Sequence, residues 1–128
     1  MDTNKTEIIY KDLAYRIVGL AMEVHNELGY GFLEKVYENA LMVLFHQSGI
    51  EAEQQKTVSV LFRNQIVGEY CADIIVENKI LLELKSVEYI IPAHRSQILN
   101  YLKATRFRLG LLINFGKETL EHERFVFG

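Results

Sequence analysis

The sequence predicts an α/β fold in which a mixed β-sheet is flanked by helices. Two observations carry this prediction: apolar residues recur at helical spacing before Ser48, and they alternate at strand spacing soon after Ile50. A third is the almost wholly apolar run from Leu109 to Phe115, which is typical of a strand buried on both faces. The predicted core order is ααβββαβ, and a short last strand over 123–127 would complete the sheet.

Each predicted helix has recognisable ends. The first covers roughly 11–28 and is broken by Gly29, which suits the left-handed backbone position just past a helix end. The second starts near Leu33 and is stopped by Ser48-Gly49. The third runs from Pro92, which fits a first helical turn, to about Ala104.

The three strands between the second and third helices are expected to form an antiparallel meander over 58–62, 66–76 and 80–86. Polar turns separate them at 63–65 and 77–79, and Asn78 or Lys79 would take unusual backbone angles in the second turn. Because the run at 109–115 follows a strand and a helix, we expect it to pair parallel with an earlier strand.

Three charged residues lie inside apolar strands of this meander. Asp73 lies in the second strand, and Glu83 and Lys85 lie two apart in the third, so that they share one face. A three-residue turn at 77–79 would make Asp73 and Glu83 cross-strand neighbours with Cβ atoms roughly 5 Å apart. A two-residue turn would place them on opposite faces.

Two carboxylates that close repel each other unless a cation lies between them, and Mg²⁺ is the natural occupant. The alternative is an ion pair of Lys85 with Asp73 or Glu83 on a solvent-facing sheet surface. Ile75 shares the face of Asp73 and Leu81 that of Glu83, so the face is not simply polar and a site is favoured.

Other residues carry weaker signals. Glu34 lies in register with the apolar stripe of the second helix, where it points near the core or is stabilised by the helix dipole. His94, Gln97 and Tyr101 share a face of the third helix, where they could bind a phosphate or simply face solvent. Cys71 is the single cysteine, and its apolar surroundings predict a small buried residue.

Composition sets further limits. The 128 residues fit one domain, expected over 9–128 after a flexible polar lead-in at 1–8. A net charge of -3 argues against a protein that grips nucleic acid by bulk charge. The start of the chain has no signal-peptide pattern and the apolar runs are too short for a membrane span, so we expect a cytoplasmic protein without membrane contact.

The motifs resemble a known group of nucleases. Asp73, nine intervening residues and Glu83-Leu84-Lys85 resemble the PD-(D/E)XK nuclease signature, with Ala72 in place of its proline. Gly31-x-x-Glu34-x-x-Tyr37 resembles the motif of the GxxExxY family in this superfamily, and Gln97-x-x-x-Tyr101 resembles the QxxxY motif of RecB-like nucleases. The likeness extends from about Leu13 to Phe127.

This resemblance implies a restriction-endonuclease-like fold and a metal-dependent nuclease acting on nucleic acid, DNA more than RNA. Asp73 and Glu83 would bind Mg²⁺ or Mn²⁺ with the Leu84 backbone carbonyl, and Glu34 would bind it directly or through water. Lys85 would orient or activate the attacking water. The residues implied to support the site or contact substrate are Gln97, Tyr101 and Tyr37. A homodimer or a protein partner would add specificity, and the alternative is a catalytically silent module that binds nucleic acid or protein.

Overall fold

The structure is a computed structural model that describes residues 8–128. All of the predicted lead-in except Ile8 therefore lies outside the described residues. The elements in chain order are α1 (Lys11–Leu28), α2 (Glu34–Gln47), β1 (Ala52–Phe62), β2 (Gln65–Val76), β3 (Ile80–Lys85), α3 (Pro92–Thr105), β4 (Leu109–Asn114) and β5 (Glu121–Val126). Over the described part of the chain, every helix is too short or too polar to cross a bilayer.

The five strands form one mixed sheet in the order β1-β2-β3-β4-β5. The first three strands are an antiparallel meander, β4 pairs parallel with β3 through the α3 crossover, and β5 returns antiparallel to β4. This confirms the predicted α/β class, the element order and the parallel pairing of the apolar run. All six residues of β4 are buried, as a central strand covered on both faces requires.

Each face of the sheet carries its own core. The α1 and α2 helices cover one face, where Ile17, Leu41 and Phe45 pack on strand residues. The α3 helix covers the other through Ile98 and Leu102. We refer to these as the α1/α2 face and the α3 face.

The predicted strand and turn boundaries differ from the structure mainly in the first hairpin. The β1 strand starts at Ala52 rather than at residue 58, because its first half is a polar edge that alternates between half-buried and exposed residues. Phe62 pairs with Gln65, so the turn contains two residues, Arg63 and Asn64, and not three. Both have positive φ angles (50° and 64°), as hairpins with two-residue turns favour.

The second turn has the predicted three residues, because Val76 pairs with Ile80. Of the two alternatives, Asn78 is the residue that takes a left-handed backbone conformation, and Glu77 takes it as well. The prediction that Cys71 is buried was wrong. It is exposed because it alternates with Tyr70 and Ala72, whose side chains occupy the covered face.

Candidate active site

The β2 strand changes face at Asp73. Before this residue, Tyr70 and Ala72 pack on the α3 face, whereas Ile74 and Val76 after it pack on the α1/α2 face. Side chains two apart in a regular strand stay on one face, so the strand must be irregular at Asp73.

The neighbouring strands show the same irregularity. The β1–β2 ladder pairs Gln54 with Ile74 and then Lys56 with Ala72, skipping the intervening residues Gln55 and Asp73. Gln55 has a left-handed backbone conformation with φ of 51°. Asp73 therefore lies where the sheet is locally opened, which is the kind of place at which an irregular strand redirects a functional side chain.

The predicted register between β2 and β3 is confirmed, but the predicted direct pairing of Asp73 with Glu83 is not formed. The ladder runs from Val76↔Ile80 to Ile74↔Leu82 and stops one residue short of it. Instead, the Leu84 N–H donates to Oδ2 of Asp73 at 2.7 Å. The Asp73 side chain thus takes the place of a backbone acceptor beyond the end of the ladder.

The Leu84 carbonyl points to the same side as this bond. The carbonyl of the next residue, Lys85, accepts from Phe115 N at 2.8 Å, toward β4. Successive residues of a strand direct their backbone polar groups to opposite sides, so the Leu84 N–H and C=O both face β2 and Asp73.

Glu83 is a buried carboxylate, with only 7% of its surface exposed. Its Oε2 accepts a hydrogen bond from the Tyr70 hydroxyl. Burial raises the pKa of Glu83 to about 7, and the negative charge of Asp73 adds to the rise, whereas the Tyr70 hydrogen bond and the positive charge of Lys85 oppose it. Carboxyl groups whose pKa is raised this strongly occur mainly at functional sites.

The pKa of Asp73 is also raised. Burial is the largest cause, the hydrogen bond from Leu84 opposes it, and the charges of Glu38 and Glu34 raise it further. Lys85, half-buried at the end of β3, lowers it. Asp73 and Glu83 thus feel the charges of Glu34 and Lys85, so the four predicted catalytic side chains share one electrostatic environment.

Glu34 is the first residue of α2 and is exposed, not turned toward the core as its place in the apolar stripe indicated. The helix begins there because Leu33 is extended and the Val36 N–H bonds back to the Leu33 carbonyl. From this position the charge of Glu34 raises the pKa of both Asp73 and Glu83.

Glu38, one turn further along α2, was missed by the sequence analysis. It is 3% exposed and its carboxylate accepts hydrogen bonds from Gln54, Gln55 and Lys35 at 2.8 to 3.1 Å. The bonds from Gln54 and Gln55 connect α2 to the irregular part of β1. Its spacing of four residues from Glu34 was the available signal, since residues four apart share a helix face.

Tyr37, the last residue of the GxxExxY-like motif, is fully buried. Its hydroxyl donates to the Gly29 carbonyl at 2.7 Å and accepts from the Phe32 N–H at 3.2 Å. Its ring stacks on Phe115 with centroids 4.5 Å apart. Tyr37 therefore secures the loop that leads into Glu34.

The α3 residues of the QxxxY-like motif are connected to Glu83 by way of Tyr70, on which the Tyr101 ring stacks. Gln97 is exposed and its Nε2 donates to the Tyr101 hydroxyl at 3.0 Å. The Tyr101 ring stacks on Tyr70 with centroids 3.5 Å apart and planes 19° apart. Tyr70 was not predicted from the sequence, where its only signal was a tyrosine three residues before Asp73 in an apolar strand.

The donor set fits a hard divalent cation. Half-buried Asp73 and buried Glu83 supply two carboxylates whose pKa values are raised, and the Leu84 carbonyl faces the side of β3 on which Asp73 lies. Within residues 8–128, however, no three His, Cys, Asp or Glu side chains converge closely enough to form a complete ligand cluster. Mg²⁺ suits such a partial set, since it keeps several waters and is usually held by one or two carboxylates.

Comparison with known proteins identifies the family. The model of the PD-(D/E)XK nuclease superfamily matches residues 11–125, so the chain belongs to that superfamily. Its mixed sheet with three helices is a restriction-endonuclease-like fold.

Among solved structures, the crystal structure of SSO0001 matches 72% of this chain and 50% of that one, with a TM-score of 0.58 and 16% identity. The chain thus spans about half the length of SSO0001, and the likeness concerns the fold alone. A search of curated proteins returned no significant match.

Proposed function

We propose that this protein is a metal-dependent nuclease that hydrolyses phosphodiester bonds with Asp73, Glu83 and Lys85 as its catalytic core. The observation that carries the proposal is the pair of a half-buried carboxylate, Asp73, and a buried one, Glu83, where the sheet opens, with the pKa of Glu83 raised to about 7 by burial and by Asp73. Buried carboxylates in a structural core are normally paired or replaced, because their desolvation costs several kcal/mol or so.

In this proposal Asp73, Glu83 and the Leu84 carbonyl hold Mg²⁺ or Mn²⁺, and Glu34 reaches the ion directly or through water. The bound ion would supply positive charge at the phosphate and a water that loses its proton near neutral pH. Lys85 orients or activates the attacking water and stabilises the negative charge that develops on the phosphate oxygens.

The remaining motif residues support these groups. Gln97 and Tyr101 back the site or contact the substrate backbone, and Tyr37 fixes the loop before Glu34 through its two backbone hydrogen bonds. The motif Gly31-x-x-Glu34-x-x-Tyr37 supports membership of the GxxExxY family within the superfamily.

The test is cleavage of end-labelled single- and double-stranded DNA and RNA with Mg²⁺, with Mn²⁺ and with EDTA. Cleavage is expected with either metal, with DNA the better substrate, and none with EDTA. Glu83→Ala and Lys85→Ala should each lose about 100-fold or more in rate, because each removes a group that acts on developing charge.

Matched controls are available on exposed surface. Glu69→Ala changes an exposed carboxylate on β2, and Lys103→Ala an exposed ammonium on α3, so both should cleave like the wild type. Equal activity of Glu83→Ala and Glu69→Ala would exclude the proposed site. No cleavage of any substrate, with metal bound, would instead favour a catalytically silent binding module.

A homodimer or a protein partner is proposed as the source of specificity, because the net charge of -3 provides no bulk positive charge for gripping nucleic acid. Light scattering of the purified protein alone and with labelled DNA tests this. A monomer that cleaves a defined site unaided would contradict it.

A further inference from the structure

We propose that Tyr70 is a positioning residue that orients the Glu83 carboxylate through its hydroxyl hydrogen bond, and that Tyr101 holds Tyr70 in place by stacking on its ring. The inference rests on the proposed function, since it treats Glu83 as a metal ligand. Tyr70 belongs to none of the three nuclease-like motifs, so this role is additional to those that the motifs imply.

Tyr70 is placed for this role by the irregularity of β2. It lies on the α3 face just before the strand changes face at Asp73, and it is 6% exposed. Its hydroxyl donates to Oε2 of Glu83. Glu83 belongs to the same face, because it lies two residues from Leu81, which packs in the α3-face core.

The chemistry of a carboxylate explains why such a bond matters. The last torsion of a glutamate side chain is broad and roughly two-fold, so an unrestrained carboxylate samples many orientations. A donor fixed on Oε2 restricts that torsion and defines where Oε1 points. Groups that orient a metal ligand in this way typically contribute 10- to 100-fold in metal affinity or activity, as a rough guide.

Tyr101 limits the freedom of Tyr70 in turn. The two rings are stacked with centroids 3.5 Å apart, and α3 is packed against the sheet beside them through Ile98 and Leu102. The Tyr101 hydroxyl accepts from the exposed Gln97. An uninterrupted chain of contacts thus runs from the surface of α3 through Tyr101 and Tyr70 to Glu83.

A purely structural role for Tyr70 makes a different prediction. Phenylalanine at this position keeps the ring, the stacking on Tyr101 and the packing against Ile98, and loses only the hydroxyl. If Tyr70 only fills the core, Tyr70→Phe binds metal like the wild type. If it orients Glu83, the variant is folded but binds metal weakly.

The primary experiment is Mn²⁺ binding to the substrate-free protein by isothermal titration calorimetry. Tyr70→Phe should bind about 10- to 100-fold more weakly while still unfolding in one cooperative thermal transition, and added Mn²⁺ should restore cleavage. Tyr101→Ala, which removes the stacked ring, should resemble Tyr70→Phe, whereas Lys103→Ala, on the exposed surface of the same helix, should bind Mn²⁺ like the wild type. Wild-type affinity in Tyr70→Phe would overturn the proposal.

The two proposals can fail separately. If the wild type binds Mn²⁺ but cleaves nothing, the nuclease proposal fails and Tyr70 is judged on affinity alone. If the wild type binds no Mn²⁺, the orienting role of Tyr70 is tested by comparing metal-free crystal structures of the wild type and Tyr70→Phe. A Glu83 carboxylate rotated by more than about 30° in the variant, beyond ordinary rotamer scatter, supports the orienting role, and an unchanged one refutes it.

Discussion

Glu83→Gln should stabilise the metal-free protein at high pH and have little effect at low pH. The folded-state pKa of Glu83 is about 7, above the ordinary value of 4.5. The stabilisation from the neutral carboxyl is therefore complete below pH 4.5 and is lost as the pH rises through 7. The difference between the two pKa values corresponds to roughly 3 kcal/mol of lost stability above pH 7. Glutamine is neutral at every pH and escapes that loss.

The measurement is urea unfolding followed by far-UV circular dichroism at pH 4 and pH 8.5, in EDTA. The free energy of unfolding of Glu83→Gln should exceed that of the wild type by about 3 kcal/mol more at pH 8.5 than at pH 4. The control is Glu69→Gln, which changes an exposed carboxylate of the same sheet. A difference between Glu83→Gln and the wild type that does not vary with pH would refute the claim that burial raises the pKa of Glu83.

Three further predictions concern the metal and the backbone around the site. Mg²⁺ at about 100 times its dissociation constant should add roughly 2.7 kcal/mol to the unfolding free energy of the wild type and much less to Asp73→Asn, as measured by urea unfolding. Tyr37→Phe should cost about 1 to 3 kcal/mol and lower cleavage, because two backbone polar groups lose their partner; unchanged stability and rate would contradict this. Gly116→Ala should cost at least about 1 to 3 kcal/mol by thermal melting, since its Cβ would lie 2.3 Å from the backbone of Val87. Gly19→Ala, in open space on α1, is the matched control and should not destabilise.

Much of the fold could be predicted because its elements are strongly patterned. The helical stripe of α1 ends at a glycine that adopts the positive φ its position favours, and the structure has the helix at Lys11–Leu28 as predicted. The nearly continuous apolar run of β4 predicted a central parallel strand, because a strand that is buried on both faces is apolar at almost every position.

For the site, the sequence predicted the residue types and their spacing along the strands, but not the local backbone geometry. The register of Val76 with Ile80 followed from the length of one turn, but regular alternation gave no sign that β2 changes face at Asp73. That change depends on long-range contacts, among them Glu38 with Gln54 and Gln55. Tyr70 and Glu38 were missed because neither belongs to a recognised motif, and their contacts with Glu83, Gln54 and Gln55 join residues 13 to 17 apart in the sequence.

The irregularity at Asp73 is best understood as the local cost of placing a carboxylate in a sheet. In a regular β2 strand, Asp73 would share the α3 face with Ile75, inside an apolar core. Burying an ion there costs several kcal/mol or so, whereas a left-handed residue such as Gln55 costs only about 1 to 2 kcal/mol. The change of face leaves Asp73 half-buried, bonded to Leu84 and within the field of Lys85. The α2 helix, with Glu34, covers one face of the sheet and α3, with Tyr101, covers the other. The change of face removes Asp73 from the α3-face core and places it within the field of the α2 carboxylates, while Glu83 stays on the α3 face beside Tyr70.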